Sequence, residues 1–213
     1  MPLKNLKNLE TRLRQAATEK NRAKRGVQIA AVIAEALRQI GEDPILVGGA
    51  AVEFYTEGDY ATQDIDMVAV GGPPLWKIME ELGFSRQGKD FIAKKLEIYI
   101  EFPSEVLGSS EQSDILDVEG IPLKIISLED LIVDRLCSYK FWRSMTDGVA
   151  AMLLLELGKA DMARLKSQAQ LREVTDALNA VTKIYEEVFR KKLSRTEANE
   201  KLRISCNSLR TNR

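Results

Sequence analysis

The sequence contains no histidine. That absence excludes a Ser-His-Asp triad, a Cys-His dyad, a His-ligated zinc and a histidine general base, so chemistry must run on carboxylates, hydroxyls, amines and bound metal. Cysteine is nearly absent too. Cys137 and Cys206 are far apart, match no metal or redox spacing and fall in helical patterns, which reads as reduced packing residues. No apolar run approaches the roughly 18 residues of a membrane span. The N-terminal "MPLKNLKNLETRLRQ" carries leucines at helical spacing in place of a continuous apolar targeting core. The expected location is the cytoplasm, with no membrane partner. There is no internal repeat and no low-complexity segment.

What is present is an ordinary folded composition: 213 residues, 45% hydrophobic and 30% charged, which argues against a mostly disordered chain. The net charge of -1 conceals an uneven distribution. Residues 1 to 25 sum to +6, residues 183 to 213 to +5, and the stretch between them to -12. Basic ends around an acidic body fit contact with a polyanion such as RNA, or two solvated helices that complement the body.

Read in order, the first 40 residues predict helix with a break near Gly26, Leu3, Leu6, Leu9 and Leu13 sharing one face before Val27, Ala30, Ala31, Ala34 and Leu37 continue it. "ILVGG" is a short strand entering a glycine turn, "AAVEFYTEG" a two-turn helix closing at Gly58, and "DIDMVAV" a second strand stopped by "GGPP". A helix through "PLWKIMEELG" buries Leu75, Ile78, Met79 and Leu82. "FSRQ" and "FIAKK" form a hairpin around Gly88, Lys89 and Asp90, "LEIYIEF" alternates as a half-buried strand, and "LDVEG" and "PLKIIS" extend the sheet. From Ser127 the chain is helical, Ser127 with Asp130 and Ser144 with Asp147 marking two helix starts. Further helices cover Leu171 to Phe189 and the basic tail. The expected fold is α/β (α+β), a mixed sheet with flanking helices plus a C-terminal helical region. Its parts are a helical segment over 1–43, a sheet domain over 44–126 and helices over 127–213.

The chemistry concentrates in "LVGGAAVEFYTEGDYATQDIDMVAV". Residues at i and i+2 of a strand share a face with Cα atoms about 6.6 Å apart, so Asp64 and Asp66 present two carboxylates together. Like charges that close are costly unless something neutralises them. Two magnesium ions roughly 3.5 to 4 Å apart, held between these acids and a nucleotide's phosphates, answer that cost. Alternation along "LEIYIEF" puts Glu97, Tyr99 and Glu101 on one face, so Glu101 or Glu97 could supply a third acid. Gly48 and Gly49 stand at a strand-to-helix junction, where backbone without Cβ atoms approaches a phosphate and helix amides donate to it.

The combination resembles the nucleotidyltransferase superfamily of DNA polymerase β type, whose signature is a hydrophobic residue, Gly, Gly or Ser, then Asp-hydrophobic-Asp or Glu. "SLEDLIVDRLCSYKFWRSMTD" is similar to the helical region of minimal nucleotidyltransferases and the AbiEii-type group. The resemblance covers about residues 44 to 157. It implies that Gly48 and Gly49 position a triphosphate, that Asp64 and Asp66 ligate Mg2+, and that Glu101 bridges a metal and helps deprotonate the attacking hydroxyl. Relatives often carry Arg or Lys near the first aspartate, as Arg-x-Thr-x-Asp, whereas "YATQDID" keeps Thr62 with Ala61 and Gln63. Lys140 or Arg143, with Asp147 nearby, falls where relatives have charged residues on the helical side, and Lys140 is the candidate to reach the triphosphate.

The implied reaction is magnesium-dependent transfer of a nucleoside monophosphate from an NTP to a hydroxyl on a tRNA or other RNA end, a protein side chain or a small molecule. Relatives serve in toxin–antitoxin pairs, so a cognate partner protein is a further expectation. Two alternatives stand beside it: a catalytically silent module that binds nucleotide or a partner, and an RNA-binding scaffold working through the basic helices.

Overall fold

A computed structural model describes residues 3–191 and 193–209. The chain divides into two compact units, Met1–Ser127 and Leu128–Arg213, each a structure in its own right.

The first unit begins with helices α1 (Leu6–Ala17) and α2 (Arg22–Arg38). The break between them is not at Gly26. It falls at Thr18 to Asn21, where the Asn21 side chain accepts from the Lys24 amide at 3.0 Å and caps α2. Asparagine stabilises a helix start better than a helix interior. Gly26 lies inside α2, where an added Cβ would stand 3.9 Å from the Ala50 Cβ, so the glycine marks close helix packing. α2 buries Ile29, Ile33 and Leu37 and packs on α1, α3 and the sheet. Residues 3–43 thus fold within the same unit as the strands.

After α2 come β1 (Ile45–Val47), α3 (Gly48–Tyr55), β2 (Asp64–Val68), α4 (Pro73–Glu81), β3 (Ser85–Gln87), β4 (Asp90–Ala93), β5 (Ile98–Glu101), β6 (Ser113–Val118) and β7 (Ile121–Ile126). The strands form one seven-stranded sheet in the order β3-β4-β5-β2-β1-β7-β6. β2 runs parallel to β5 and β1 parallel to β7, and the remaining pairs are antiparallel, so the sheet is mixed as the alternation of helix and strand predicts. Two hairpins bracket it. One turns through Gly88 and Lys89, the other through Glu119 and Gly120, whose φ angles of 54° and 82° are both positive. A two-residue turn with both φ values positive matches the right-handed twist of the strands it joins.

The expected strand over "LEIYIEF" is shorter than its alternation suggests. Lys94–Leu96 is a 3₁₀ turn, and Glu97 adopts φ 53°, outside the strand. Glu97 therefore does not share the face of Tyr99 and Glu101, and the choice of third acid narrows to Glu101.

The second unit is helical: α5 (Leu128–Phe141), α6 (Met145–Glu156), α7 (Met162–Leu171), α8 (Thr175–Lys191) and α9 (Arg195–Ser208). Ser144 caps α6, its hydroxyl accepting from the Asp147 amide at 3.3 Å. Tyr139 is its most tightly held side chain. The ring packs where Gly148 has no Cβ, and the hydroxyl donates to the Leu202 carbonyl at 2.6 Å. Residues 210–213 of the basic tail lie outside the described residues. No helix among the described residues is long and apolar enough to cross a membrane.

Candidate active site

The site is built by strand pairing. β1 and β2 are antiparallel neighbours with Val47 opposite Asp66, so the turn that follows β1 meets the aspartate directly. Gly48 takes φ +63°, and a Cβ there would fall 2.0 Å from the Asp66 Oδ2. No L residue with a side chain fits that space. The Gly49 amide donates to the same oxygen at 3.3 Å, placing the carboxylate over the first turn of α3. An amide at a helix N-terminus favours a negative charge there.

Gly49 has its own reason to be small. A Cβ on it would meet Thr62 Oγ1 at 2.8 Å, so the segment leading into β2 lies on the glycine turn. The Thr62 hydroxyl donates to the Asp64 carbonyl at 3.4 Å. Gly48, Gly49, Thr62, Asp64 and Asp66 thus form one cluster. Ile65 and Met67 alternate into the core beneath, which holds Asp64 exposed and Asp66 half-buried on the other face.

Register carries the row across the sheet. Asp66 is paired with Glu101 on β5, and Glu101 with Asp90 on β4. Directly paired residues point to one face, so three carboxylates from three adjacent strands stand side by side. Sequence reading finds Asp66 and Glu101 but places Asp90 only in a turn. The missing signal is the hairpin register against β5, which local alternation does not encode. Lys89, at the tip of the same hairpin, donates to Glu101. That bond and the charge of Glu101 hold the Lys89 ammonium above its ordinary value, and Asp90 and Asp66 add to the effect.

Among the described residues, no group of three or more acidic or cysteine side chains stands as a ready-made metal cage. Magnesium does not require one, since it binds through one or two carboxylates together with substrate phosphates and water. Asp64 and Asp66 supply hard oxygen donors on one face, beside the start of α3, and they fit that role. Glu101 is engaged by Lys89. Lys140, the candidate on α5, donates its ammonium to the Glu173 carbonyl at 2.7 Å and to Asp176 at 2.8 Å. Asp147 pairs with Arg135 at 2.7 Å.

No protein-family model matches the chain, and no curated protein matches it in sequence. In structure it is similar to an antigenic nucleotidyltransferase-like protein from Paracoccidioides brasiliensis, with a TM-score of 0.52 over 77% of this chain and 93% of the other, at 16% identity. At that identity the likeness is one of fold.

Proposed function

We propose that the protein is a magnesium-dependent nucleotidyltransferase that moves a nucleoside monophosphate from an NTP to a hydroxyl acceptor. One observation carries the reading. The Asp66 carboxylate fills the space a side chain at Gly48 would need and accepts from the Gly49 amide, so the glycine turn and one of the two aspartates are in direct contact, which supports a shared role. A folding role alone gives no reason to set Asp64, Asp66, Glu101 and Asp90 together on one face, because like charges at that spacing oppose folding. The likeness in fold to a nucleotidyltransferase-like protein adds to the reading.

In the proposed reaction the acceptor oxygen bonds to the α-phosphorus, the bond from that phosphorus to the bridging oxygen breaks, and pyrophosphate leaves. Asp64 and Asp66 would hold magnesium, which would supply neutralising charge for the triphosphate. The positive end of α3 favours phosphate oxygens beside it, and the missing Cβ atoms at Gly48 and Gly49 let Asp66 and Thr62 pack against that turn. Glu101 takes the hydroxyl proton and releases it to water. Positioning and charge do most of this catalysis, which suits a chain without histidine.

The test is calorimetric titration of each NTP with and without magnesium, on the wild type and on Asp66→Asn. Magnesium-dependent binding that falls at least about a hundredfold in the variant is expected, since charge-assisted contacts contribute about 1.5 to 3 kcal/mol each and this aspartate makes more than one. A folded wild type that binds no NTP sinks the reading. A second reading, a silent nucleotide- or partner-binding module, is favoured by the Lys89 contact, which occupies the acid assigned to proton transfer. Binding of NTP with no transfer to any acceptor would favour it.

A further inference from the structure

A pocket of about 390 Å³ has Thr62 and Asp64 in its lining. Its lining includes Arg22 and Arg25 from the first turns of α2, Glu53 from α3, Thr62, Asp64 and Tyr99. That volume is in the range that takes a small molecule. Arg22 donates to the Thr62 carbonyl at 2.9 Å, and Arg25 to the carbonyls of Leu96 and Glu97 at 3.1 and 3.2 Å. These bonds fix both guanidiniums and use part of their five donors each. The start of α2 adds the positive end of a 17-residue helix.

Glu53 is the unusual member. It is only 4% exposed, yet its Oε1 has no hydrogen-bond partner, standing 3.3 Å from the Arg22 Nε without hydrogen-bond geometry. A buried carboxylate oxygen that accepts nothing is costly, and folds rarely leave one without a reason. Burial pushes the Glu53 carboxyl above its ordinary value, against the pull of Arg22, a hydrogen bond from the Thr62 backbone and Arg25.

Two guanidiniums with donors to spare call for an oxyanion. An acceptor-only oxygen calls for an O–H or N–H. Thr62 lines the pocket and also abuts Gly49, so the pocket adjoins the glycine turn and has Asp64 in its own wall; a reaction that joins two molecules needs two such neighbouring compartments. We infer that this pocket holds the acceptor, a vicinal-diol phosphate with the chemistry of ribose phosphate. Its phosphate lies against Arg22 and Arg25, one hydroxyl donates to Glu53, and the other faces Asp64. The inference rests on the transferase reading for the word acceptor, while the binding site stands on the pocket itself. The basic N-terminal segment thereby gains a defined task for two of its charges.

The test titrates ribose 5-phosphate into the full-length protein, without nucleotide or magnesium, for the wild type, Arg25→Gln, Arg25→Lys and Asp66→Asn. Wild type and Asp66→Asn should bind alike, Arg25→Gln at least about tenfold more weakly, and Arg25→Lys in between, as expected for loss of a charge-assisted contact. Arg22→Gln repeats the comparison should Arg25→Gln fail to fold. A wild type that binds magnesium-NTP but no ribose 5-phosphate overturns the pocket and leaves the transferase reading standing. Binding of ribose 5-phosphate by a wild type that binds no NTP upholds the pocket and removes the transferase. Equal loss in Asp66→Asn and Arg25→Gln overturns the assignment, because the phosphate then sits on the glycine turn. Competition by a short oligoribonucleotide with a free 3′ end identifies an RNA end as the source, and binding without competition identifies a free compound; either supports the site.

Discussion

The helical unit and one face of the sheet unit's sheet handle charge in opposite ways, although elsewhere the sheet unit pairs charges too, as Asp43 does with Arg38 and Lys124. In the helical unit, inward-lying charges among the described residues meet opposites: Arg164 donates to Asp130, itself 2% exposed, Arg135 pairs with Asp147, and Lys140 with Asp176. In the sheet unit Asp64, Asp66, Glu101 and Asp90 share one face, where Lys89 donates to Glu101. Paired charges hold helices in register. Charges of one sign gathered on a face oppose folding, and such groupings are candidates for functional sites. The contrast separates stabilising polar groups from functional ones without reference to any relative.

Arg164→Leu breaks the paired side of that contrast most severely. It strips the guanidinium from a buried aspartate, and removing one partner of a buried pair costs about 3 to 5 kcal/mol; Arg164 is partly exposed, which favours the lower end. Denaturant unfolding should report the loss. The double variant Arg164→Leu with Asp130→Leu should recover most of it, because no buried charge then remains. If the double variant is no better than the single, the pair is not what holds α5 to α7.

Tyr139→Phe has the next effect. Its hydroxyl bond to the Leu202 carbonyl contributes about 1 kcal/mol. The pH dependence is more telling. Burial pushes the Tyr139 phenol from an ordinary 10.0 up to about 12. The folded state therefore holds this proton more tightly than the unfolded one. The resulting stability is fully present below about pH 10 and is lost as pH rises through about 12. Wild type should lose melting temperature over that window, and Tyr139→Phe should lose less. Equal alkaline losses in the two proteins would remove Tyr139 from the account.

These contrasts explain what could be read from the sequence. Period-two alternation puts Asp64 and Asp66 on one face whatever the rest of the chain does, and a glycine pair after a short apolar strand marks the turn. Ser144 with Asp147 marks the start of α6 because a cap is local chemistry. What stayed hidden depends on distant partners. Gly26 reads as a breaker, but it is small because Ala50 of α3 approaches it. Glu97 reads as a strand residue, but the 3₁₀ turn before it ends the alternation. Asp90 joins the acidic row only through pairing with β5, and Arg22, Arg25 and Glu53 converge only once α2 lies over α3. Lys140 carries no mark in sequence of its bond to Asp176, 36 residues away.

The smallest expected effect sharpens the other side of the comparison. Lys89 lies at an exposed hairpin tip, so Lys89→Met should leave the melting temperature within about a degree, as surface changes usually do. Its effect on ligand is another matter. If the acidic face awaits magnesium, the ammonium on Glu101 is a competitor, and removing it should tighten magnesium by a few-fold. Calorimetric titration of magnesium in the presence of NTP reads this directly. Weaker binding in Lys89→Met would give the lysine the opposite role, a contact to the triphosphate, and would make the acidic row a face that carries its own counter-ion to the nucleotide. The sign of that small change decides whether Lys89 guards the site or serves it.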